Sequence, residues 1–413
     1  MPSDRPSFLA GLGVARRINA AGTLTRLGGA LMDEAVLAAM AEAAASSVDI
    51  AELQSAASQR IAALTGAEAG LVTSGAAAGL TLATAACLAG WDAARMSALP
   101  DTAAMPSQVL MHRTHRNSYD HAVRLAGARI FDFGHNDRGT GAGVRGIEPW
   151  EIEAAIDART VACVFVASAA NEADLRTVVD VLHRRGLPVI VDAAAQLPPR
   201  ENLRRFVALG ADLVVFSGGK ALGGPQSSGL LVGRRALIGS ALLQMMDMDV
   251  HPRTWAPAAL VDTAALTGTP LHGIGRGFKV GKEEIAGLLC ALERFVARDE
   301  AAVQAAWAQR LQAIAQALAD VPGLHTRLRP AGPAKAVPLL ELRPSVPAHQ
   351  VCRHLHAMPV PVHLGEGEMD DGLLTLNPMT VPPQDDALVA ACIREAVLAC
   401  AAADPPRPAG PAS

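Results

Sequence analysis

A chain of 413 residues can hold one large and one smaller domain around a sizeable core; half of it is hydrophobic but only 3% aromatic, so that core must be assembled from alanine, valine and leucine. The formal net charge of −4 provides no polybasic face, which argues against nucleic acid as the main partner. Cys87, Cys163, Cys290, Cys352, Cys392 and Cys400 are scattered without paired spacing, mostly in apolar runs, which favours reduced, buried thiols in a cytoplasmic protein over a disulfide framework or a zinc site.

The N-terminus lacks the charged start, long apolar stretch and cleavage site of a secretion signal. "INAAGTLTRLGG", from Ile18, reads as an extended arm, followed by a helix from about Asp33 to Ala45 and another from Ile50 to Leu64. "AGLVT" is then a short strand, "SGAAAG" a turn of small residues and the following run a helix. Ser74, Gly75, Ala76 and Ala77 place unpaired backbone N–H groups at that helix start, where the dipole favours an anion. The same composition also serves an ordinary structural helix start. The alanine-rich run from Leu80 to Leu88 is too short and too rich in threonine to span a membrane.

"QVLMHRTHRNSYDHAVRLAGARI" reads as strand, loop and helix, the loop presenting His112, His115 and Tyr119. A helix ending near Ala158, the strand "VACVFVAS" and a helix to Arg185 continue the alternation. Ser168 and Asn171 follow the end of that strand, where they serve either as ligand contacts or as helix caps.

"LPVIVDA" and "ADLVVFS" are short, valine-rich runs bounded by turn residues, and "ENLRRFVALG" between them has helical spacing. Strand, helix and strand close most simply as a right-handed parallel crossover, so both strands end at the sheet edge where ligands of open α/β sheets sit. Asp192 ends the first strand; Ser217 and Lys220 follow the second. A partly desolvated lysine in a glycine-rich turn is suited to forming a Schiff base with an aldehyde, and Gly218, Gly219, Gly223 and Gly224 are expected to give a bulky ring clearance. A carboxylate facing a pyridine nitrogen keeps such a ring protonated and able to take up electrons. Singly, either residue also fits a surface turn or a helix cap; the ordered pair favours the chemistry.

Beyond the lysine come a strand and helix in "GLLVGRRALIGSALL", an irregular stretch from Met245 to Gly277, and the basic turn "GIGRGFKVGKEE". In that turn Arg276, Lys279 and Lys282 either meet an anionic group or balance Glu283 and Glu284. From Glu283 to about Asp320 the pattern is helical and alanine-rich, with a kink allowed. "GLHTRLRP", "AVPLLELRP" and "GLLTLNPM" are strand-like, while "AHQVCRHLHAM" and "QDDALVAACIREAVLACA" are helical. His354 and His356 point apart on a helix and make no metal site. The tail "ADPPRPAGPAS" has the composition of a disordered segment.

The segments "INAAGTLTRLGG", "VTSGAAAGL", "VDAAAQ", "FSGGKALGGPQSSG" and "GIGRGFKVGKEEIAGLL", in this order, make the chain resemble fold-type-I pyridoxal-phosphate enzymes. More narrowly, it is similar to the group of D-glucosaminate-6-phosphate ammonia lyase and bacterial L-seryl-tRNA selenium transferase. The resemblance implies an α/β fold, with a large cofactor domain built on a mostly parallel sheet and a smaller α+β C-terminal domain. The expected division is 1–60 for an N-terminal arm and helices, 61–285 for the cofactor domain, 286–400 for the small domain and 401–413 for a disordered tail. It implies pyridoxal 5'-phosphate as cofactor, with Lys220 and Asp192 catalytic, Ser74, Gly75, Ala76, Ala77 and Ser217 at the phosphate, and His115 stacked on the ring. Substrate contacts are expected from Thr25, Arg26, Ser168, Asn171, Arg276 and Lys279.

The implied reaction is elimination of water and ammonia from a β-hydroxy amino acid or aminosugar acid, giving a 2-oxo acid. The expected assembly is a homodimer or larger homo-oligomer with shared active sites, without nucleic-acid or membrane partners. The residues alone establish only that carbanion chemistry is possible. Racemase, aldolase, aminotransferase and selenium transferase reactions use the same machinery, and a non-catalytic cofactor-binding scaffold would retain the fold.

Overall fold

The computed structural model describes residues 8–136, 146–332 and 336–403. The chain forms two compact units, one of Leu31–Arg298 and one combining Met1–Ala30 with Asp299–Ser413. This division differs from the expected one at both boundaries. The arm and helices of 1–60 are shared between the units, and the expected break after 285 falls inside the helix Lys282–Ala297. The helical run from Glu283 to Asp320 ends and restarts at Arg298 and Asp299, where the Asp299 side chain accepts a hydrogen bond from Ala302 N and caps the helix Glu300–Ala317. Of the expected tail, 401–403 finish the last helix, Asp386–Ala403, and the remainder lies outside the described residues.

The first strand, β1 (Ile18–Ala20), belongs to the smaller unit. The larger unit holds β2 (Ala69–Thr73), β3 (Gln108–His112), β4 (Arg129–Phe133), β5 (Thr160–Val166), β6 (Val189–Asp192), β7 (Leu213–Ser217) and β8 (Gly229–Gly233), in the sheet order β2-β8-β7-β6-β5-β3-β4. Strands β4, β3, β5, β6 and β7 are parallel, and β8 is antiparallel to both its neighbours. Because β8 is reversed against β7 and β2 is reversed against β8, β2 runs the same way as β7. Six carboxyl ends therefore lie along one sheet edge.

Both faces of this sheet are covered, which is why β2, β3 and β8 are buried throughout and read as continuous apolar runs. The helix Ala76–Ala89 is buried around most of its circumference, and its alanines let it pack closely. The terminal strand β2 is closed by the helix Ile50–Thr65 rather than by another strand. Gln54 Nε2 donates to Val72 O at 2.9 Å, Val72 N donates to Gln54 Oε1 at 3.2 Å, and Gly70 N donates to Ser58 Oγ at 3.0 Å. Side chains thus satisfy the outward backbone groups that a bare edge would expose.

The smaller unit adds β9 (Leu324–Arg329), β10 (Leu339–Pro344), β11 (Val362–Glu368) and β12 (Leu373–Leu376) to β1, in the order β1-β11-β12-β10-β9. Its core joins Leu340, Leu342, Leu364 and Leu376 to Val389 and Ile393 of the last helix. Strand β11, with the sequence VHLGEGE, carries no clear apolar alternation; it is held by β1 on one side and β12 on the other. Among the described residues no helix is long and apolar enough to cross a membrane.

Candidate active site

Strand β6 ends at Asp192, which is in register with Val166 of β5 and Val215 of β7. Its neighbours complete the ladder, Ala167 N donating to Asp192 O and Ala193 N to Val215 O, both at 2.9 Å. The carboxylate is thereby fixed at the carboxyl edge. Its Oδ1 accepts from Ala194 N at 3.0 Å. Burial pushes Asp192 above the ordinary carboxylate range, opposed by the Ala194 bond and by the charge of Lys220.

Lys220 lies three residues past β7. Burial pushes its amine below the usual lysine range, and the Asp192 charge acts in the other direction. The loop around it is tied to itself: Gly218 N donates to Ser228 O at 2.8 Å, Gly224 N to Gly218 O at 2.9 Å and Gly223 N to Lys220 O at 3.0 Å. These contacts correct the expected purpose of the glycines. A Cβ on Gly218 would lie 2.1 Å from Ser228 Oγ, and one on Gly219 would lie 2.7 Å from the Gln226 Cα. The space is filled by the protein's own chain, so these two glycines allow the loop to fold on itself rather than a ring to approach. Gly223 has a φ of +71°, the left-handed conformation that favours glycine. Ser228, fully buried and bonded through Oγ to Pro225 O at 2.6 Å, is the residue that sequence reasoning missed; its only signal was the small polar run "PQSSG" before β8.

The helix start after β2 is built as its sequence suggests. Gly75 caps the helix Ala76–Ala89 without a side-chain bond, at a φ of 114°, and the first-turn N–H groups of Ala76 and Ala77 have no acceptor within the helix. Thr73 Oγ1 donates to Gly75 O at 2.9 Å and holds the turn. Ser74 is committed differently from the expectation: its hydroxyl donates to Phe278 O at 2.7 Å, joining the turn to the segment Ile274–Phe278. Ser217, half-buried, ends β7 opposite Gly229.

His115 follows β3, buried, with its ring edge-on to Phe165 at 4.6 Å between centroids. Asn171 links it to the end of β5. Asn171 Nδ2 donates to Val166 O at 3.0 Å and lies 3.4 Å from His115 Nε2, while its Oδ1 accepts from Ser168 N at 2.8 Å. The structure thus brings Asp192, Ser217, Lys220, the Ser74–Ala77 turn, His115, Ser168 and Asn171 to the one carboxyl edge.

The remaining expected contacts have surroundings of their own. Arg276 donates to Asp247 Oδ2 at 2.6 Å, and Lys279 is exposed just past the Ile274–Phe278 turn. Lys282, from the same basic turn, donates to Ala44 O and Ser46 O at 3.0 and 2.6 Å, at the carbonyl end of the helix Glu34–Ala44, and its charge lies 3.6 Å from Glu283 Oε1, the balancing partner its sequence offered. Thr25 and Arg26 belong to the smaller unit, in a single 3₁₀ turn where Arg26 faces Glu366 at 3.9 Å.

The profile of the L-seryl-tRNA selenium transferase family matches residues 160–249, the stretch that holds both Asp192 and Lys220. D-glucosaminate-6-phosphate ammonia lyase of Salmonella typhimurium is 31% identical, covering 94% of this chain and 98% of that protein. The chain belongs to this family of fold-type-I enzymes. A solved structure of D-glucosaminate-6-phosphate ammonia-lyase superposes with a TM-score of 0.79 at 30% identity, over 96% of this chain and 99% of that one. The 5'-C-glycyluridine monooxygenase-decarboxylase of a Streptomyces species is 30% identical, over 94% of this chain and 91% of that protein. A cysteine desulfurase from Escherichia coli shares the fold, with a TM-score of 0.54 at 17% identity. The expected family and fold class are borne out, and the family is one of pyridoxal-phosphate enzymes.

Proposed function

We propose that the protein is a pyridoxal-phosphate-dependent lyase that releases ammonia from an aminosugar acid or another β-hydroxy α-amino acid, by elimination of water and hydrolysis of the dehydrated product, leaving a 2-oxo acid. The observation carrying this reading is the pair Asp192 and Lys220, each pushed by burial toward its neutral form at the edge where a helix start presents free N–H groups. An acid, an amine and an anion-favouring helix start are the donor set this cofactor needs. Lys220 would hold it covalently, Asp192 would face its ring nitrogen, and the Gly75–Ala77 turn with Ser217 would take its phosphate. His115 would lie against the ring. When bound, the cofactor supplies a sink for the electron pair left as the α-proton departs.

Burial favours the uncharged form of the Lys220 amine, which fits it to accept the α-proton. Asp192 would keep a proton at the ring nitrogen. Hydroxide leaves the β-carbon with a proton, as water, and one water returns when the amine-bearing product hydrolyses, so the net loss is ammonia. The lyase relative is named for a phosphorylated aminosugar acid, which makes that class the first substrate to try.

A screen of D- and L-β-hydroxy amino acids and of aminosugar acids, with and without phosphate, tests the reading. Equimolar 2-oxo acid and ammonia are expected, with both lost in Lys220→Ala together with the absorbance of the lysine-linked cofactor. Ammonia without 2-oxo acid would overturn it. The Streptomyces relative favours a second reading, oxidative decarboxylation, which would consume oxygen and release carbon dioxide instead. We further read the protein as a cytoplasmic homodimer or larger homo-oligomer that does not bind tRNA; the exposure of Phe8 and Leu12 supports self-association, and sedimentation and a tRNA gel shift test both points.

A further inference from the structure

Two histidines of the smaller unit meet face to face. His363, the second residue of β11, is buried, and His356 lies near the end of the helix Ala348–Ala357; their ring centroids are 4.2 Å apart with planes inclined by 33°. Arg17 Nη1 lies 3.3 Å from His363 Nε2. Glu366 is 3.7 Å from His356 Nε2 and 3.9 Å from Arg26 Nη2, beyond hydrogen-bond length for both.

A guanidinium only donates, so His363 Nε2 accepts from Arg17, and the neutral ring carries its proton on Nδ1. That Nδ1 is buried and has no hydrogen-bond partner; neither has the buried Nε2 of His356. Ionisation does not relieve His363 near neutral pH, because burial, His356, Arg26 and Arg17 together push it down to about 4. His356 is likewise pushed down, first by burial, with Glu366 opposing and Arg26 and Arg17 adding to it. Cys352, one helical turn before His356, is raised to about 12 by burial and by the charge of Glu366. Two arginines, two orphaned ring nitrogens and one loosely held carboxylate thus share one place in the fold.

We propose that Arg17, Arg26, His356 and His363 form a receptor for a phosphate group. Phosphate oxygens accept from His363 Nδ1 and His356 Nε2, and the guanidiniums supply the charge. Glu366, on a side chain about one-third exposed, is the built-in competitor that the anion displaces. The site lies wholly in the smaller unit and does not depend on the lyase reading.

Calorimetric titration of the full chain with inorganic phosphate, and separately with a sugar phosphomonoester, tests it. Saturable binding of either supports the site: inorganic phosphate alone marks a free-ion site, and the ester alone marks an organic phosphate ligand. His363→Phe and Arg17→Gln are each expected to weaken binding at least tenfold, while Glu366→Gln tightens it. In the ring NMR spectrum the His363 titration moves upward from about 4 when phosphate is bound. If His363→Phe does not fold, His356→Phe replaces it. No saturable binding of either ligand, undiminished binding in the variants, or weaker binding in Glu366→Gln overturns the proposal. Phosphate binding without turnover on any amino acid would sink the lyase reading and leave this one standing.

Discussion

Asp192 and Lys220 act on each other by charge across the carboxyl edge, each favouring the other's ionised form, while burial works against both. A site with this balance is poised for a ligand that takes up the amine and offers the acid a partner.

The balance has a pH signature in the protein without cofactor. A raised folded-state pKa means Asp192 contributes stability below its ordinary value and loses that contribution as pH rises through the folded value. Asp192→Asn removes the buried charge but keeps an oxygen for Ala194 N. The variant without cofactor is therefore expected to melt above the parent protein at pH 7 to 8, with the gap closing as pH falls below about 4. For Lys220, lowered by burial, the sign reverses: Lys220→Met is expected to melt above the parent at neutral pH, with the gap closing as pH rises past about 10.4. Calorimetric scans over pH check both trends.

Asn171 anchors the His115 ring to the end of β5 through Val166 O and Ser168 N. Asn171→Ala is expected to leave the fold intact and weaken cofactor retention by up to about tenfold, equivalent to ~1.4 kcal/mol. Dissociation constants from absorbance titration would show it; unchanged retention would place His115 away from the cofactor.

Gly229, at the start of β8, packs against the turn that begins the helix Ala76–Ala89. An added Cβ would lie 2.6 Å from Gly75 C and 2.8 Å from Ala76 N. Gly229→Ala is expected to cost roughly 1–3 kcal/mol of stability through overpacking and to displace the helix start. Urea unfolding measures the first effect and competition with inorganic phosphate for the cofactor phosphate site the second.

Gln54 stands in for a missing strand beside Val72. Gln54→Leu leaves a buried N–H and a buried C=O without partners, at about 1–3 kcal/mol each, so a loss of roughly 2–6 kcal/mol in urea unfolding is expected. A loss below about 1 kcal/mol would show that the edge finds other partners.

The alternation of short valine-rich runs with helical spacing located β5, β6 and β7, because strands covered on both faces leave an unbroken apolar signature. Asp192 and Lys220 were legible for the same reason: strand ends locate the ligand edge. Less visible were features set by long-range pairing. The short strand β1 and the glycine- and glutamate-rich β11 are joined across more than three hundred residues, Asn19 lying opposite His363, and nothing local marks either as a sheet strand. The roles of Gly218 and Ser74 also escaped local reading. Each is set by a partner, Ser228 or Phe278, that spacing does not reveal.

The self-packed loop around Lys220 has one further consequence. Its turns are closed by backbone bonds among Gly218, Lys220, Gly223, Gly224 and Ser228. Because these bonds join the chain to itself, reconstitution of the apoprotein is expected to proceed in a single kinetic phase whose rate rises linearly with coenzyme concentration.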